Sequence, residues 1–246
     1  MTPQSADEIQ IRELLFAFSN AAAAGSPHMM AATLCSNAAE NLLDEFPDPN
    51  EVVTFAALPE IEVQRVQVFG NLALGRITNQ YRSDEVMVMT LRRESGRWTI
   101  CGDAEQELSL DQLEEQPWTP EPELTKELVS RVQALRAVPI GSLDDGGVAV
   151  LLTYGQGLDL LLPNAMRYLN DINSWPDVFP WPLLTAAMTV TSEYWTNNPL
   201  LLVRMHALFR DIGTGGRLFG YAPAQGFQDG CIEAFLRVHP DTWDWG

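Results

Sequence analysis

The spacing of apolar residues predicts a helix at the start of the chain. Apolar side chains recur every three or four residues, which places them on one helical face: Ile11, Leu14, Leu15, Phe18 and Ala22. Ser5 or Asp7 can cap this helix, and Glu8 lies three residues after Ser5, as a capping box requires. Gly25 and the residues after it end the helix. A second helix, rich in Ala and Met, is predicted over residues 28–43.

Beyond residue 50 the pattern changes to the alternation of apolar and polar residues that is typical of strands. Strands are predicted over residues 51–56, 61–69, 72–81, 84–92 and 97–101. Gly70-Asn71, Ser83-Asp84 and Ser95-Gly96 supply turns between the last four of them. Two helices followed by a strand meander predict an α+β domain, in which a curved antiparallel sheet wraps the helices.

The second half of the chain returns to helical spacing. Helices are predicted over residues 123–137, 148–162, 183–195, 200–212 and 229–238. Gly155 and Gly157 interrupt the second of these helices. We therefore expect a mainly α-helical C-terminal domain after the α+β domain.

An acidic, proline-containing stretch separates the two halves. Residues 103–127 hold nine acids, one base and three prolines, a composition that is typical of a linker. The predicted domains are therefore 1–105 for the α+β fold and 123–246 for the helical fold. Residues 106–122 are predicted to link them.

The N-terminal half resembles the SnoaL-like or nuclear-transport-factor-2-like superfamily, to which ketosteroid isomerases belong. The likeness covers about residues 5–105 and is carried by the two helices and by the runs VQRVQVFGNLALGRIT and VMVMTLRRESGRWTIC. It implies a cone of helices on a curved sheet, with a ligand pocket at the open end. The candidate pocket residues are then Phe18, Tyr81, Trp98 and Asp103. The resemblance includes no match for the helical half.

The charge balance limits the partners. The chain of 246 residues carries a net charge of −18, from 33 acids and 15 bases, with a single lysine. Such a surface repels phosphates, which argues against nucleic acid and against an anionic membrane. No secretion signal is visible at the N-terminus, and no apolar run is long enough to span a bilayer. These features predict a cytoplasmic protein.

The cysteines are few and widely spaced. Cys35, Cys101 and Cys231 form no zinc-binding pattern, and in a reducing compartment we expect them to be thiols in the core. The SnoaL-like resemblance leaves another interpretation open. Family members with a cysteine near the second helix and another after the closing tryptophan could join them, and Cys35 and Cys101 occupy such places.

No set of residues with the spacing of an established catalytic motif is present. Steroid-isomerase chemistry needs a carboxylate base opposite acidic donors, and Asp103 and Tyr81 do not match that pattern. His206 lies in an apolar helix without an HExxH, GxSxG or paired Cys/His motif. The glycine-rich pieces TYGQGLD and DIGTGGRLFG lack the spacing of phosphate-binding loops. We expect no cofactor and no metal.

The C-terminal tail is a candidate partner interface. Trp243 and Trp245 lie beside Asp241 and Asp244, and aromatic side chains among acids suit a partner rich in arginine or lysine. Alternatively, the two tryptophans pack back onto the helices.

Two functional interpretations follow. The favoured one is a non-enzymatic protein-binding module, including a bacterial immunity- or antitoxin-type inhibitor of a basic partner protein. The alternative is a SnoaL-like protein that binds an apolar small molecule in the N-terminal cone, or an enzyme of the isomerase or hydratase type. A monomer is favoured over a dimer, since the C-terminal helices can cover the sheet.

Overall fold

The computed structural model describes residues 4–54, 61–79, 82–171, 180–213 and 235. The chain divides into two compact units, Met1–Leu113 and Glu114–Gly246. The predicted α+β class is confirmed, because N-terminal helices pack on a four-stranded antiparallel sheet and a mainly helical region follows.

The first helix, α1 (Ala6–Ala23), begins with the predicted capping box. The Ser5 hydroxyl accepts a hydrogen bond from the Glu8 N–H at 3.2 Å, and the Glu8 carboxylate accepts one from the Ser5 N–H at 2.9 Å. Ser5 is therefore the cap. Asp7 instead turns its carboxylate toward the side chains of Arg93 and Trp98.

The sheet is a meander of four strands in the order β1-β2-β3-β4, each antiparallel to its neighbours. The strands are β1 (Ile61–Phe69), β2 (Leu72–Asn79), β3 (Arg82–Glu94) and β4 (Arg97–Ile100). They correspond to the last four predicted strands, but the turn predicted at Ser83-Asp84 is wrong, because both residues lie within β3. The first predicted strand is wrong over residues 51–54, which form no strand, and its residues 55 and 56 lie outside the described residues.

The second predicted helix is two helices, α2 (Pro27–Ala31) and α3 (Ser36–Glu45), so the prediction of one continuous helix is wrong. Between them the backbone pairs with the end of β4. Ile100 donates its N–H to the Thr33 carbonyl, and Cys35 donates to the Ile100 carbonyl, both at 2.9 Å. These bonds to the sheet replace helical hydrogen bonds, which explains the break.

One face of the sheet packs against α1. The shared core contains Ile11 and Leu15 from the helix, with Ile77 and Trp98 among the strand residues. A Cβ atom on Gly75 would lie 2.7 Å from the Leu15 Cδ1 atom. The absence of a side chain at Gly75 therefore lets the helix approach β2 closely.

The other face of the sheet meets the segment that follows β4. This segment contains a 3-10 helix (Gly102–Glu107) and α4 (Leu110–Leu113). Arg76 of β2 is 3% exposed, and its guanidinium donates to the Leu113 carbonyl at 2.8 Å and to the Gln67 side chain. The hydrogen bond fixes α4 to the sheet.

Cys35 and Cys101 form a disulfide, with their Cα atoms 5.3 Å apart. The bond joins the connection between α2 and α3 to the residue that follows β4. Both residues are buried as expected, but the expectation of free thiols is wrong for this pair. The pairing is the one that the SnoaL-like resemblance allowed. Cys231 lies outside the described residues.

The C-terminal unit is built from short helices. They are α5 (Lys126–Arg136), α6 (Asp145–Thr153), α7 (Leu158–Asn170), α8 (Trp181–Met188), α9 (Ser192–Asn197) and α10 (Pro199–Gly213). Two predicted helices are each divided in the structure. The helix predicted over 148–162 breaks at Gly155 and Gly157, and the one predicted over 183–195 breaks after α8. Of the helix predicted over 229–238, only Phe235 is described.

The helices enclose their own core. α6 packs against α5, α7 and α8, and α10 packs against α7 and α9. Trp195 is fully buried and meets the ring of Phe235 edge to face at 5.8 Å, while Phe235 meets Phe209 at 5.2 Å. No helix among the described residues is long and apolar enough to cross a membrane.

Candidate functional site

The candidate ligand residues of the N-terminal unit do not share one pocket. Phe18 and Trp98 pack in the core, and the Trp98 indole N–H donates to the Asp7 carboxylate at 3.2 Å. The guanidinium of Arg93 lies 4.6 Å above the Trp98 ring. This tryptophan therefore serves the packing of α1 on the sheet.

Asp103 lies on the opposite side of the sheet. It is exposed and accepts a hydrogen bond at 3.3 Å from Arg92, which also pairs with Glu107. Arg92 and Arg93 are consecutive in β3, so their side chains point to opposite faces. The Asp103 and Trp98 side chains consequently lie on opposite faces. Tyr81, the remaining candidate, lies outside the described residues.

The predicted partner-interface residues all fall outside the described residues. They are Asp241, Trp243, Asp244 and Trp245. Their role stays a prediction.

The C-terminal unit contains a groove of about 620 Å³. Its walls come from the segment before α5, from the end of α6 and from the connection between α8 and α9. Side chains that line it include Trp118, Glu121, Leu124, Leu152, Tyr154 and Val190. The groove therefore combines apolar walls, two aromatic rings and a carboxylate.

A glycine turn shapes one wall of this groove. After α6, Gly155 adopts φ +64° and Gly157 adopts φ +60°, in the left-handed region that favours glycine. The Gln156 N–H donates to the Leu151 carbonyl at 2.9 Å, which closes the end of α6 as in a Schellman motif. Gly157 then caps α7. The TYGQGLD piece is thus a reversal of the chain that presents Tyr154 to the groove.

A buried arginine holds this turn in place. Arg136 of α5 is 1% exposed and donates to the Gln156 side chain at 2.8 Å and to the Glu114 carboxylate at 2.6 Å. The Gln156 amide in turn donates to the Tyr154 carbonyl at 2.7 Å. A buried guanidinium requires such partners, because an uncompensated charge away from water is strongly destabilising.

A second polar contact ties the start of α7 to α9. Burial raises the pKa of Tyr194, and the hydrogen bond to Asp159 raises it further. The phenol therefore stays protonated at neutral pH, so it can donate to the carboxylate. Of the two residues in this contact, Asp159 directly follows Leu158, which lines the groove.

The charge at the groove comes from one acidic residue. Among the residues that line it, Glu121 is charged and none is basic. The Glu121 side chain is exposed, and its carboxylate has no hydrogen bond or ion pair with the residues that the structure describes. This carboxylate is free to meet a positively charged group.

One group of side chains in the described ranges has the proximity of a metal site. Ligand atoms of Cys35, Cys101 and Asp103 lie within 4.8 Å of one another. The two sulfur atoms are joined in the disulfide, so neither is the thiolate that a metal requires. The donor set therefore does not suit a metal ion.

His206, the histidine that the sequence singled out, lies on α10 and does not line the groove. Burial lowers the pKa of His206, and the nearby positive charge of Arg210 lowers it further. Both effects favour a neutral, packed imidazole.

The sequence did not predict the groove, because its lining residues are spread from 118 to 191 and belong to no single motif. Two signals pointed to it. Trp118 is a large aromatic residue in a stretch that otherwise reads as a solvated linker. The two glycines of TYGQGLD interrupt an apolar helix, which marks a turn.

Comparison with known proteins matches part of the chain to one family. Residues 112–205 match the family model of CDI immunity proteins. No curated protein and no solved structure matches the chain. The matched segment contains all the residues that line the groove.

Proposed function

We propose that this protein is an immunity-type inhibitor, which binds a toxin protein and neutralises it without chemical turnover. The observation that carries the proposal is the match of residues 112–205 to the CDI immunity proteins, which bind a cognate toxin protein.

The charge of the chain supports a basic toxin. The net charge is −18, and the matched segment alone holds eleven acidic and five basic residues. Opposite charges accelerate the encounter of two proteins and disfavour wrong partners. An inhibitor that must capture a toxin quickly benefits from both effects.

The alternative function, a small-molecule site in the N-terminal unit, gains no support from the geometry of the described residues. Trp98 packs in the core, and Asp103 lies on the opposite face of the sheet. The SnoaL-like relationship of residues 5–105 remains a proposal, supported by helices packed on a four-stranded meander.

The experiment that tests the proposed function is affinity capture from the native host at low salt. The full chain serves as bait, captured proteins are eluted with a salt gradient, and mass spectrometry identifies them. We expect one basic protein that elutes steeply with salt and that is toxic when it is produced alone. An unrelated protein of similar size and net charge is the control bait, since it retains proteins that bind any polyanion. Capture of the same proteins by both baits would contradict the proposal.

A further inference from the structure

We propose that the groove of the C-terminal unit receives an arginine side chain of the partner protein. The inference rests on the proposed function, because it names where the toxin docks and which of its groups is bound.

The aromatic walls suit a planar cation. Trp118 and Tyr154 both line the groove and are both partly buried. A guanidinium group is planar and weakly hydrated, so it stacks on aromatic faces more readily than an ammonium group does. Tryptophan, tyrosine and arginine are also the residues that dominate binding energy at protein interfaces.

The charge at the groove favours a positively charged ligand. Glu121 places a carboxylate at the groove, and no basic residue is among its lining residues. A carboxylate or phosphate guest would be repelled. An arginine guest would form a charge-assisted pair with Glu121, which is stronger than a neutral hydrogen bond and can be bidentate.

The start of α7 offers no competing anion site. The first turn of a helix has unpaired N–H groups and a partial positive charge, which ordinarily attract an anion. Here Asp159 lies in that first turn and supplies the negative charge itself. The start of α7 therefore does not favour an anion beside the groove.

The turn between α6 and α7 is organised before a partner arrives. The Arg136 guanidinium donates to the Gln156 side chain, and the Gln156 amide donates to the Tyr154 carbonyl, so two partly buried hydrogen bonds hold the backbone at Tyr154. A preorganised site loses little conformational entropy on binding. The turn also leaves space for a guest, since a Cβ atom on Gly155 would meet nothing within 4 Å.

The test is a titration of the ¹⁵N-labelled full chain with N-acetyl-arginine methylamide, followed by two-dimensional NMR. We expect saturable shifts of the Trp118 indole and of the Gly155 amide signals, at millimolar probe concentrations. The corresponding glutamate derivative, which carries the opposite charge, should leave these signals unchanged. Shifts that are absent, that lie elsewhere, or that the glutamate derivative also produces would overturn the proposal.

Two pairs of variants locate the binding. Glu121→Gln should lower the affinity for the arginine probe by roughly three- to tenfold, since it removes the counter-charge. Glu123→Gln is the matched control, because Glu123 is also exposed but does not line the groove. Trp118→Ala should lower the affinity for the probe by a similar factor. Phe16→Ala, at an exposed aromatic residue of α1, should leave the affinity unchanged. Equal losses in a variant and its control would contradict the assignment.

The same variants separate this proposal from the proposed function. The arginine probe requires no toxin, so a failed titration overturns the groove assignment and leaves the inhibitor proposal standing. When the captured basic toxin is used instead, Glu121→Gln and Trp118→Ala should increase its dissociation rate relative to their controls. A toxin that binds all four variants equally would show that it docks on another surface.

Discussion

The guanidinium of Arg136 lies 2.6 Å from the carboxylate of Glu114, although only 2% of the arginine side chain is exposed. The pair joins the end of α5 to the first residue of the C-terminal unit. Through Gln156 the same guanidinium supports the turn that carries Tyr154. One buried charge thus connects the stability of the unit with the shape of the groove.

Replacement of this arginine should destabilise the C-terminal unit. Arg136→Met keeps most of the side-chain volume but leaves Glu114 and Gln156 without their donor, so we expect a loss of about 2–3 kcal/mol in the free energy of unfolding. Urea unfolding, followed by circular dichroism, measures the change. Arg131→Met, at an exposed arginine of the same helix, is the control and should stay within about 0.5 kcal/mol of the parent. Equal midpoints for both variants would mean that the pair has no structural role.

The contact between Gly75 and Leu15 gives a second prediction. Gly75→Ala places a Cβ atom 2.7 Å from the Leu15 side chain, so we expect a loss of about 1–3 kcal/mol from overpacking. Gly102→Ala is the control, because a Cβ there would meet nothing within 4 Å. A double variant that combines Gly75→Ala with Leu15→Ala should show a favourable coupling energy, measured by a double-mutant cycle of urea unfolding. Additive effects would contradict the close approach.

The disulfide between Cys35 and Cys101 should stabilise the N-terminal unit. The bridge spans 66 residues of sequence, and closing a loop of that length in the unfolded chain stabilises the folded state by about 4 kcal/mol. The Cys35→Ala/Cys101→Ala variant should therefore melt at a lower temperature in differential scanning calorimetry. Reductant should lower the melting temperature of the parent and leave that of the variant unchanged. A parent that melts identically with and without reductant would show that the bond contributes no stability.

The stability of the C-terminal unit should depend on pH through His206. Burial lowers the pKa of His206 below its ordinary value of 6.5, so the folded state binds fewer protons than the unfolded chain. The contribution of neutral His206 to the free energy of unfolding is complete above pH 6.5. It is lost as the pH falls from there toward the lowered pKa. Between pH 7 and pH 5, His206→Gln should lose less stability in urea unfolding than the parent loses. A His206→Gln variant that loses as much stability as the parent over this range would contradict the prediction.

The sequence predicted the meander well because local alternation and turn glycines determine it. β1 to β4 fall where the apolar and polar alternation places them, and Ser5 and Glu8 form the predicted capping box. The break between α2 and α3 was missed, because backbone hydrogen bonds that Ile100 makes with Thr33 and Cys35 cause it. Such long-range pairing leaves no periodic signal in the local sequence.

The candidate site was harder to predict for the same reason. Trp118, Tyr154 and Val190 come together only after the helices of the C-terminal unit have packed. Gly155 and Gly157 did mark the turn, but a turn alone does not reveal which side chains it brings together. The acidic net charge of the chain, by contrast, follows directly from its composition.

A growth assay tests directly whether the chain neutralises its partner. The basic protein captured from the native host is produced in cells with and without this chain, and growth is followed after induction. We expect arrest when the captured protein is produced alone, and full growth when the chain is produced with it. Arrest in both cultures would contradict the assignment of this protein as an immunity-type inhibitor of that partner.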